Sequence, residues 1–277
     1  MISREDAFAL NGSALARGQP LLELVDLGLR FGGVQALDGV GTTIAQGAIH
    51  ALIGPNGAGK SSLLNCVSGL YRPQRGRITL HRAAGAVELV GRKPHAIARL
   101  GVARSFQNIE LFRHLTVLDN LMLGRHTRMS LSLLPALLWL GPARRQEVAQ
   151  RALVEEVIDL LALQAVRHQA VGTLPYGLAK RVELGRALCM QPAVLLLDEP
   201  MAGMNTEEKE DMARHILDVN ELAGVTVVLI EHDMNVVMDL SHRVTVLDFG
   251  KLIADGTPDE VRRDPCVIEA YLGKEVA

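Results

Sequence analysis

The chain has 277 residues, and its 29 Lys and Arg against 31 Asp and Glu leave a formal net charge of −2. Because 48% of the residues are apolar, the composition indicates a soluble globular protein, with one large mixed domain or two packed subdomains, and excludes a mainly disordered chain. No block of like charges offers a surface for phosphate backbones, so we expect no nucleic-acid partner.

No segment is predicted to cross a membrane. The most apolar stretch, residues 131–140, is broken by Pro135 and is far shorter than the roughly 20 residues that a bilayer requires. The first 20 residues show no secretion signal, so we expect a cytoplasmic protein. The three cysteines have no metal-ligand spacing and are expected to be reduced and mostly buried: Cys66, Cys189 and Cys266.

Hydrophobic periodicity predicts the elements in chain order. Residues 1–20 show no period and are expected to form a flexible tail. Apolar residues then alternate at Val25, Leu27, Leu29 and Phe31, which predicts a half-exposed strand at the edge of an antiparallel sheet. Helical spacing at Val154, Val157, Ile158 and Leu161 predicts a helix in a helical middle region.

The C-terminal part of the chain has continuous apolar runs rather than alternating or helical patterns. Residues 193–197 and 225–230 are continuous apolar runs, the pattern of central parallel strands covered on both faces. Near the end, Gly250 lies between two apolar runs and predicts a hairpin.

A phosphate-binding loop is the strongest local signal. It matches G-x-x-x-x-G-K-S between a strand-like and a helix-like segment, so glycines and a helix N-terminus can surround a nucleotide phosphate. We expect Lys60 to contact the β- and γ-phosphates, Ser61 to bind Mg²⁺ and Ser62 to donate to the α-phosphate. The loop comprises Gly54, Pro55, Asn56, Gly57, Ala58, Gly59, Lys60, Ser61 and Ser62.

Two acids follow the apolar run that ends at residue 197. A phosphate loop needs a carboxylate for the metal and a base for water at the end of a neighbouring parallel strand. Asp198 is therefore expected to hold Mg²⁺, and Glu199 is expected to accept a proton from the attacking water.

Lys60 and Asp198 are 138 residues apart, and further motifs lie between and after them. Gln107 follows RSF, LPYGLAKRVELGRAL begins at residue 174, and VLIEHD contains His232. In this order the motifs resemble those of the ATP-binding subunits of ABC transporters, over about residues 21–273.

The resemblance implies a fold and a domain organisation. The expected fold is α/β: a P-loop NTPase (RecA-like) core with an antiparallel β subdomain and an inserted α-helical subdomain. The core and β part would cover about 21–105 and 190–277, and the helical subdomain about 106–189.

It also implies the roles of individual residues in binding and hydrolysing ATP. Phe31 would stack on adenine, Gln107 would sense Mg²⁺ and the water, and Glu199 would be the catalytic base. His232 would contact the γ-phosphate together with Lys60. Residues 174–178 correspond to the signature sequence, which in the family contacts the γ-phosphate held by the opposite subunit, and residues 201–205 to the D-loop at the dimer interface.

This sequence departs from the family at two places. The signature is usually L-S-G-G-Q, whereas here Pro175 stands at the serine and Tyr176 at the first glycine, followed by Gly177. The serine hydroxyl contact is absent, so we expect a weakened but not abolished contact with ATP, made through Gly177 and the helix N-terminus. The D-loop ends in Asn205 where Asp is commoner. Both departures favour a non-identical partner ATPase.

Among importers, the sequence is most similar to the branched-chain amino acid (Liv-type, LivG-like) family, through RFGGVQAL, GPNGAGKSSLLNCVSGLYRP, EHDM and GTPDEV. The implied partners are transmembrane permeases, a second ATP-binding subunit (non-identical, or an identical copy in isolation) and, indirectly, a periplasmic solute-binding protein. The implied location is the cytoplasmic face of the inner membrane.

Several alternatives stay open at this stage. The solute could be urea, a short amide or an aromatic acid, and a lipopolysaccharide-export ATPase has similar motifs. A non-transport ABC ATPase and a binding-only regulatory subunit are further hypotheses. The apolar stretch 131–140 could lie against lipid headgroups, pack on the helical subdomain or touch the permease.

Overall fold

The computed structural model describes residues 15–105, 111–125 and 142–272. The larger of its two sheets has six strands in the order β10-β9-β3-β8-β7-β6, and β10 alone runs antiparallel to its neighbour. These strands are β3 (Ile49–Ile53), β6 (Val102–Arg104), β7 (Val194–Asp198), β8 (Thr226–Ile230), β9 (Arg243–Asp248) and β10 (Lys251–Gly256).

Both faces of the parallel strands are covered, which explains their continuous apolar sequences. On β7, Leu195 and Leu197 belong to a core shared with the helical region, whereas Val194 and Leu196 belong to a core on the opposite face. The predictions of central parallel strands at 193–197 and 225–230 are therefore confirmed. The predicted hairpin is also confirmed, because Gly250 lies in the turn between β9 and β10.

The second sheet is antiparallel and has the order β2-β1-β4-β5. Its strands are β1 (Pro20–Phe31), β2 (Val34–Ala45), β4 (Arg75–Leu80) and β5 (Val87–Glu88). The predicted edge position of β1 is wrong, because β2 and β4 pair with it on both sides. Alternation reports which face of a strand is buried, and it carries no information about its lateral neighbours.

Packing begins before β1, within the stretch predicted as a tail. The backbone N–H of Gly18 donates to the Gln46 carbonyl at 3.0 Å, and Leu15 packs against the core beneath the antiparallel sheet. Arg17 reaches across to the Asn220 side chain at 3.3 Å. Residues 15–19 are thus part of the fold, and residues 1–14 lie outside the described part of the chain.

The helices cover the parallel sheet. They are α1 (Lys60–Val67), α2 (Pro94–Arg99), α3 (Val117–Arg125), α4 (Pro142–Leu160), α5 (Tyr176–Leu188), α6 (Thr206–Glu221), α7 (Met234–Leu240), α8 (Pro258–Arg263) and α9 (Pro265–Leu272). The helix predicted from apolar spacing is confirmed as the C-terminal half of α4. Its four apolar residues are completely buried in one core with residues of α3, α5, α6 and strands β7 and β8.

The expected fold class is confirmed: a parallel sheet between helices, an antiparallel sheet and a helical region inserted between β6 and β7. Within the described residues, no helix is long and apolar enough to span a membrane. The apolar stretch 131–140 lies outside the described residues, as does the segment 106–110 with Gln107.

The prediction of free, mostly buried cysteines is confirmed. Cys66 and Cys189 are buried and Cys266 is exposed, and all three are free thiols. Burial raises the pKa of both Cys66 and Cys189 to about 12.

Candidate nucleotide site

The phosphate loop connects β3 to α1 and requires glycine at several positions. Gly54 and Gly59 have positive φ values of 144° and 101°, and a Cβ at Gly59 would lie 2.5 Å from the Ala36 carbonyl oxygen. A Cβ at Gly54 would collide with the Leu247 carbonyl oxygen. Gly57 also has a positive φ, but nothing lies within 4 Å of its would-be Cβ. The loop is therefore packed at its two ends and open at its centre.

Lys60 is the first residue of α1, and its side chain lies along the loop. Its Nζ donates to the carbonyl oxygens of Gly54 at 2.7 Å and Pro55 at 3.0 Å, and the residue is buried. Ser61 is exposed and Ser62 is half-buried, both in the first turn. Gly59 provides no side-chain cap, so backbone N–H groups of that turn can bind an anion.

The C-terminal helix also packs near this loop. Tyr271 of α9 packs against the core that contains Ile53, the last residue of β3 before the loop, and burial raises the pKa of its hydroxyl. Tyr271 was not predicted to lie near the loop, because a single tyrosine more than 200 residues away in the sequence carries no motif.

Asp198 is the last residue of β7. In the sheet, only β8 separates β7 from β3, the strand that leads into the phosphate loop. Its Oδ2 accepts from Arg104 at 2.8 Å, and the side chain is almost completely buried. Its Oδ1 is also buried and has no hydrogen-bond partner among the described residues. A buried carboxylate oxygen without a donor fits the binding of a cation or of a water held by one.

Glu199 and His232 form a direct pair. The Nε2 of His232 lies 2.7 Å from Oε1 of Glu199, and the histidine side chain is 46% exposed. Glu199 has a φ of 50°, a conformation rare for residues other than glycine, and its N–H donates to the Ile230 carbonyl at 3.0 Å. Tertiary contacts therefore hold the carboxylate in a strained orientation next to an accessible imidazole.

A third acid, Glu231, was not singled out in the sequence. It is buried and accepts from the backbone N–H groups of Met201 at 2.9 Å and His232 at 3.1 Å. Burial raises its pKa. Because one carboxylate binds the first D-loop residue and the histidine backbone, it couples the positions of these two segments.

Phe31 ends β1 and is 46% exposed. Its ring contacts Tyr71 edge to face, with centroids 5.0 Å apart and an interplanar angle of 73°. An exposed aromatic face of this kind can stack on a flat base.

The signature residues lie at the start of α5 and contact the D-loop and α6. Pro175 is the N-cap residue, and the Tyr176 hydroxyl donates to the Ala202 carbonyl at 3.0 Å. A Cβ at Gly177 would lie 2.6 Å from a Glu208 carboxylate oxygen, so a larger residue there would require the Glu208 side chain to shift. Asn205 caps α6 in a capping box with Glu208, a role that its amide oxygen fills without a charge.

The structure thus brings most predicted site residues to one edge of the parallel sheet. Lys60, Ser61, Asp198, Glu199 and His232 follow the carboxyl ends of β3, β7 and β8, which are adjacent in the order β3-β8-β7. Among the signature residues, Tyr176 instead contacts the D-loop, and Gly177 faces Glu208 of α6. Gln107 lies outside the described residues.

Comparison with known proteins identifies related sequences along most of the chain. The family model "ABC transporter" matches residues 37–202, and the model "Branched-chain amino acid ATP-binding cassette transporter" matches residues 251–277. The high-affinity branched-chain amino acid transport ATP-binding proteins BraF of Pseudomonas aeruginosa and LivG of Escherichia coli are each 38% identical over 256 residues. Each alignment covers 92% of this chain and 99% of the relative.

The chain is also similar to solved structures of ATP-binding cassettes from ABC transporters. The chain is similar to the ADP conformation of MJ1267, an ATP-binding cassette of an ABC transporter, with a TM-score of 0.79 and 29% identity over 92% of this chain and 99% of that one. A nucleotide-free ATP-binding cassette from an ABC transporter is similar with a TM-score of 0.78 and 28% identity, over 91% and 99% of the two chains.

Proposed function

The chain belongs to the ABC transporter family of ATP-binding proteins, and we propose that it hydrolyses ATP to drive the import of branched-chain amino acids. The observation that carries the proposal is the meeting of the phosphate loop, a buried carboxylate and a Glu199–His232 pair at one edge of the sheet. Phosphoryl transfer requires this combination of anion cradle, metal ligand and water-positioning base.

Glu199 is the proposed general base. Its carboxylate can accept a proton from the water that attacks the γ-phosphate, and His232 at 2.7 Å holds the carboxylate in place. After cleavage of the terminal phosphate bond, ADP and inorganic phosphate leave. Lys60 and the N–H groups of the first turn of α1 neutralise the charge that develops on the phosphate oxygens.

Mg²⁺ is the proposed cofactor, with Ser61 and Asp198 holding it directly or through water, and Gln107 as a further proposed ligand. The ion supplies neutralisation of the β- and γ-phosphate oxygens when it is bound. The buried Oδ1 of Asp198, which has no donor among the described residues, supports this assignment. Phe31 is the proposed adenine platform.

The proposed substrate class of the transporter follows from the relatives. Proteins named as branched-chain amino acid transport ATP-binding proteins align over 92% of this chain, and the family model for that group matches its C-terminal residues 251–277. The chain would act at the cytoplasmic face of the membrane, with permease subunits, a second ATP-binding subunit and, indirectly, a periplasmic solute-binding protein.

The second ATP-binding subunit would complete the nucleotide site. Pro175 and Tyr176 are exposed, and Tyr176 contacts the D-loop, so these residues could face a neighbouring subunit. Pro175 lacks the hydroxyl that the usual signature serine offers to the γ-phosphate. We propose that the nucleotide site to which this signature contributes binds ATP more weakly than one with the serine. Replacing Pro175 with Ser would then lower the ATP concentration required for dimerisation.

Two measurements test this function. In the source cells, Lys60→Ala should abolish uptake of labelled leucine, and the exposed Lys93→Ala should leave it unchanged at equal expression. In the purified protein, Glu199→Gln should retain ATP binding and lower hydrolysis by about 100-fold or more. Retained leucine uptake in the Lys60→Ala cells would refute the substrate assignment and direct the search to urea, amides and aromatic acids. Unchanged hydrolysis would refute the role of Glu199.

A further inference from the structure

Arg104 lies at the end of β6 and connects two parts of the nucleotide site. Its side chain is only 10% exposed, and one guanidinium nitrogen donates to Asp198 Oδ2 at 2.8 Å. The other terminal nitrogen donates to the side chains of Asn65 at 2.5 Å and Ser68 at 3.3 Å. Asn65 lies in α1, and Ser68 is the C-cap residue of that helix. One cation thus connects β7, where Asp198 ends, to the helix that begins at Lys60.

The two carboxylate oxygens of Asp198 have different surroundings. Oδ2 is occupied by Arg104, whereas Oδ1 has no partner among the described residues. The planar guanidinium fixes the carboxylate plane through its charge-assisted hydrogen bond, so Oδ1 is held in one direction. The same guanidinium also holds α1, which carries Lys60 and Ser61, at a set distance from β7.

We propose that Arg104 is a positioning residue for the metal–nucleotide site, a role that rests on the proposed function above. It orients Oδ1 of Asp198 toward the Mg²⁺ site and keeps that carboxylate in register with Ser61 on α1. Groups that orient a metal ligand through a hydrogen bond commonly change metal affinity or activity by about 10- to 100-fold when removed. A merely structural ion pair would lower the stability of the fold without changing the contribution of Mg²⁺ to nucleotide binding.

The test compares Arg104→Met and Arg104→Lys with Arg125→Met. Arg125 is a matched control because it is also buried and donates to the Cys189 carbonyl and the side chains of Gln150 and Gln191 in the helical region. Binding of the non-hydrolysable analogue AMP-PNP is measured by calorimetry in excess Mg²⁺ and in EDTA. The dissociation constant in EDTA divided by that in Mg²⁺ measures the contribution of Mg²⁺ to binding without hydrolysis. Thermal melting of each variant measures fold stability.

Arg104→Met is expected to reduce this ratio by about tenfold, with little change of the dissociation constant in EDTA. Arg104→Lys should restore part of the ratio, because it keeps the charge and loses the planar bridge. Arg125→Met should melt at lower temperature with the wild-type ratio. Asn65→Ala removes the contact of Arg104 with Asn65 of α1 but keeps its contact with Asp198, so it should reduce the ratio less than Arg104→Met does. It replaces Arg104→Met as the test variant if that variant does not fold.

Three results would overturn the inference: an unchanged or increased ratio in Arg104→Met, an equal reduction in Arg125→Met, or a wild-type ratio in both Arg104→Lys and Asn65→Ala. The inference rests on the nucleotide-binding part of the proposed function, and failure of that part is distinguishable from these results, because the wild-type protein itself would then not bind AMP-PNP in Mg²⁺.

Discussion

Acidification should destabilise this protein through His50, a buried residue of β3, the strand that leads into the phosphate loop. The His50 Nε2 lies 2.7 Å from the Thr245 hydroxyl, whereas Nδ1 is buried without a hydrogen-bond partner among the described residues. Burial lowers the His50 pKa from 6.5 to about 4. Asp255 raises the pKa against this effect, and Arg243 lowers it further.

The size and sign of the effect follow from this shift. Between pH 6.5 and about 4 the unfolded chain binds a proton at His50 that the folded chain does not, so the free energy of unfolding falls as the pH falls. The shift from 6.5 to about 4 corresponds to about 3 kcal/mol when complete. About 2 kcal/mol of it should be lost between about pH 7 and about pH 4.5.

Urea unfolding of the wild type and of His50→Gln, over a pH series between these values, measures this contribution. The glutamine can keep a hydrogen bond to Thr245 but does not titrate, so other groups with shifted pKa values, Glu231 among them, cancel in the difference between the two curves. The reasoning would be refuted if the wild type and His50→Gln lost equal stability on acidification, or if the wild type gained stability relative to the variant.

Three further predictions concern stability and reactivity. Ellman's reagent should label Cys266 in the native protein and all three cysteines in denaturant; rapid native labelling of Cys66 or Cys189 would contradict their burial and raised pKa. Asn205→Ala should lower the free energy of unfolding by about 1 kcal/mol through loss of the capping box, whereas Asn205→Asp should retain it, and equal urea midpoints for the two variants would exclude the cap. Glu183→Gln removes the carboxylate 3.3 Å from the buried Lys180 ammonium and should cost about 3 kcal/mol, and a melting temperature equal to that of the wild type would contradict this.

The main elements were predictable because their signals are local. Strands β7 and β8 are continuous apolar runs, and α4 has helical spacing, since side-chain burial on each face repeats with the geometry of the element. The phosphate loop is equally local, because its glycines and lysine are consecutive in the chain. The order of the separated motifs correctly predicted the family.

Lateral and long-range contacts were not predictable in this way. The edge position expected for β1 was wrong because the pairing of β4 with β1 depends on residues about 50 positions away, which alternation within β1 does not report. Arg104 and Glu231 were missed because each is a single charged residue without a spacing pattern. Their importance follows from what they contact, such as the carboxylate of Asp198, 94 residues from Arg104.

By itself, the sequence determined the fold class and the family and predicted the residues of the nucleotide site, because motifs in a fixed order require particular backbone shapes and chemical groups. Only the tertiary structure decided which groups contact them: Arg104 contacts Asp198, His232 contacts Glu199, and Glu231 contacts the D-loop. The physical reason is that hydrogen bonds and ion pairs depend on distance and direction in space, and those are set by the packing of the strands and helices on one another.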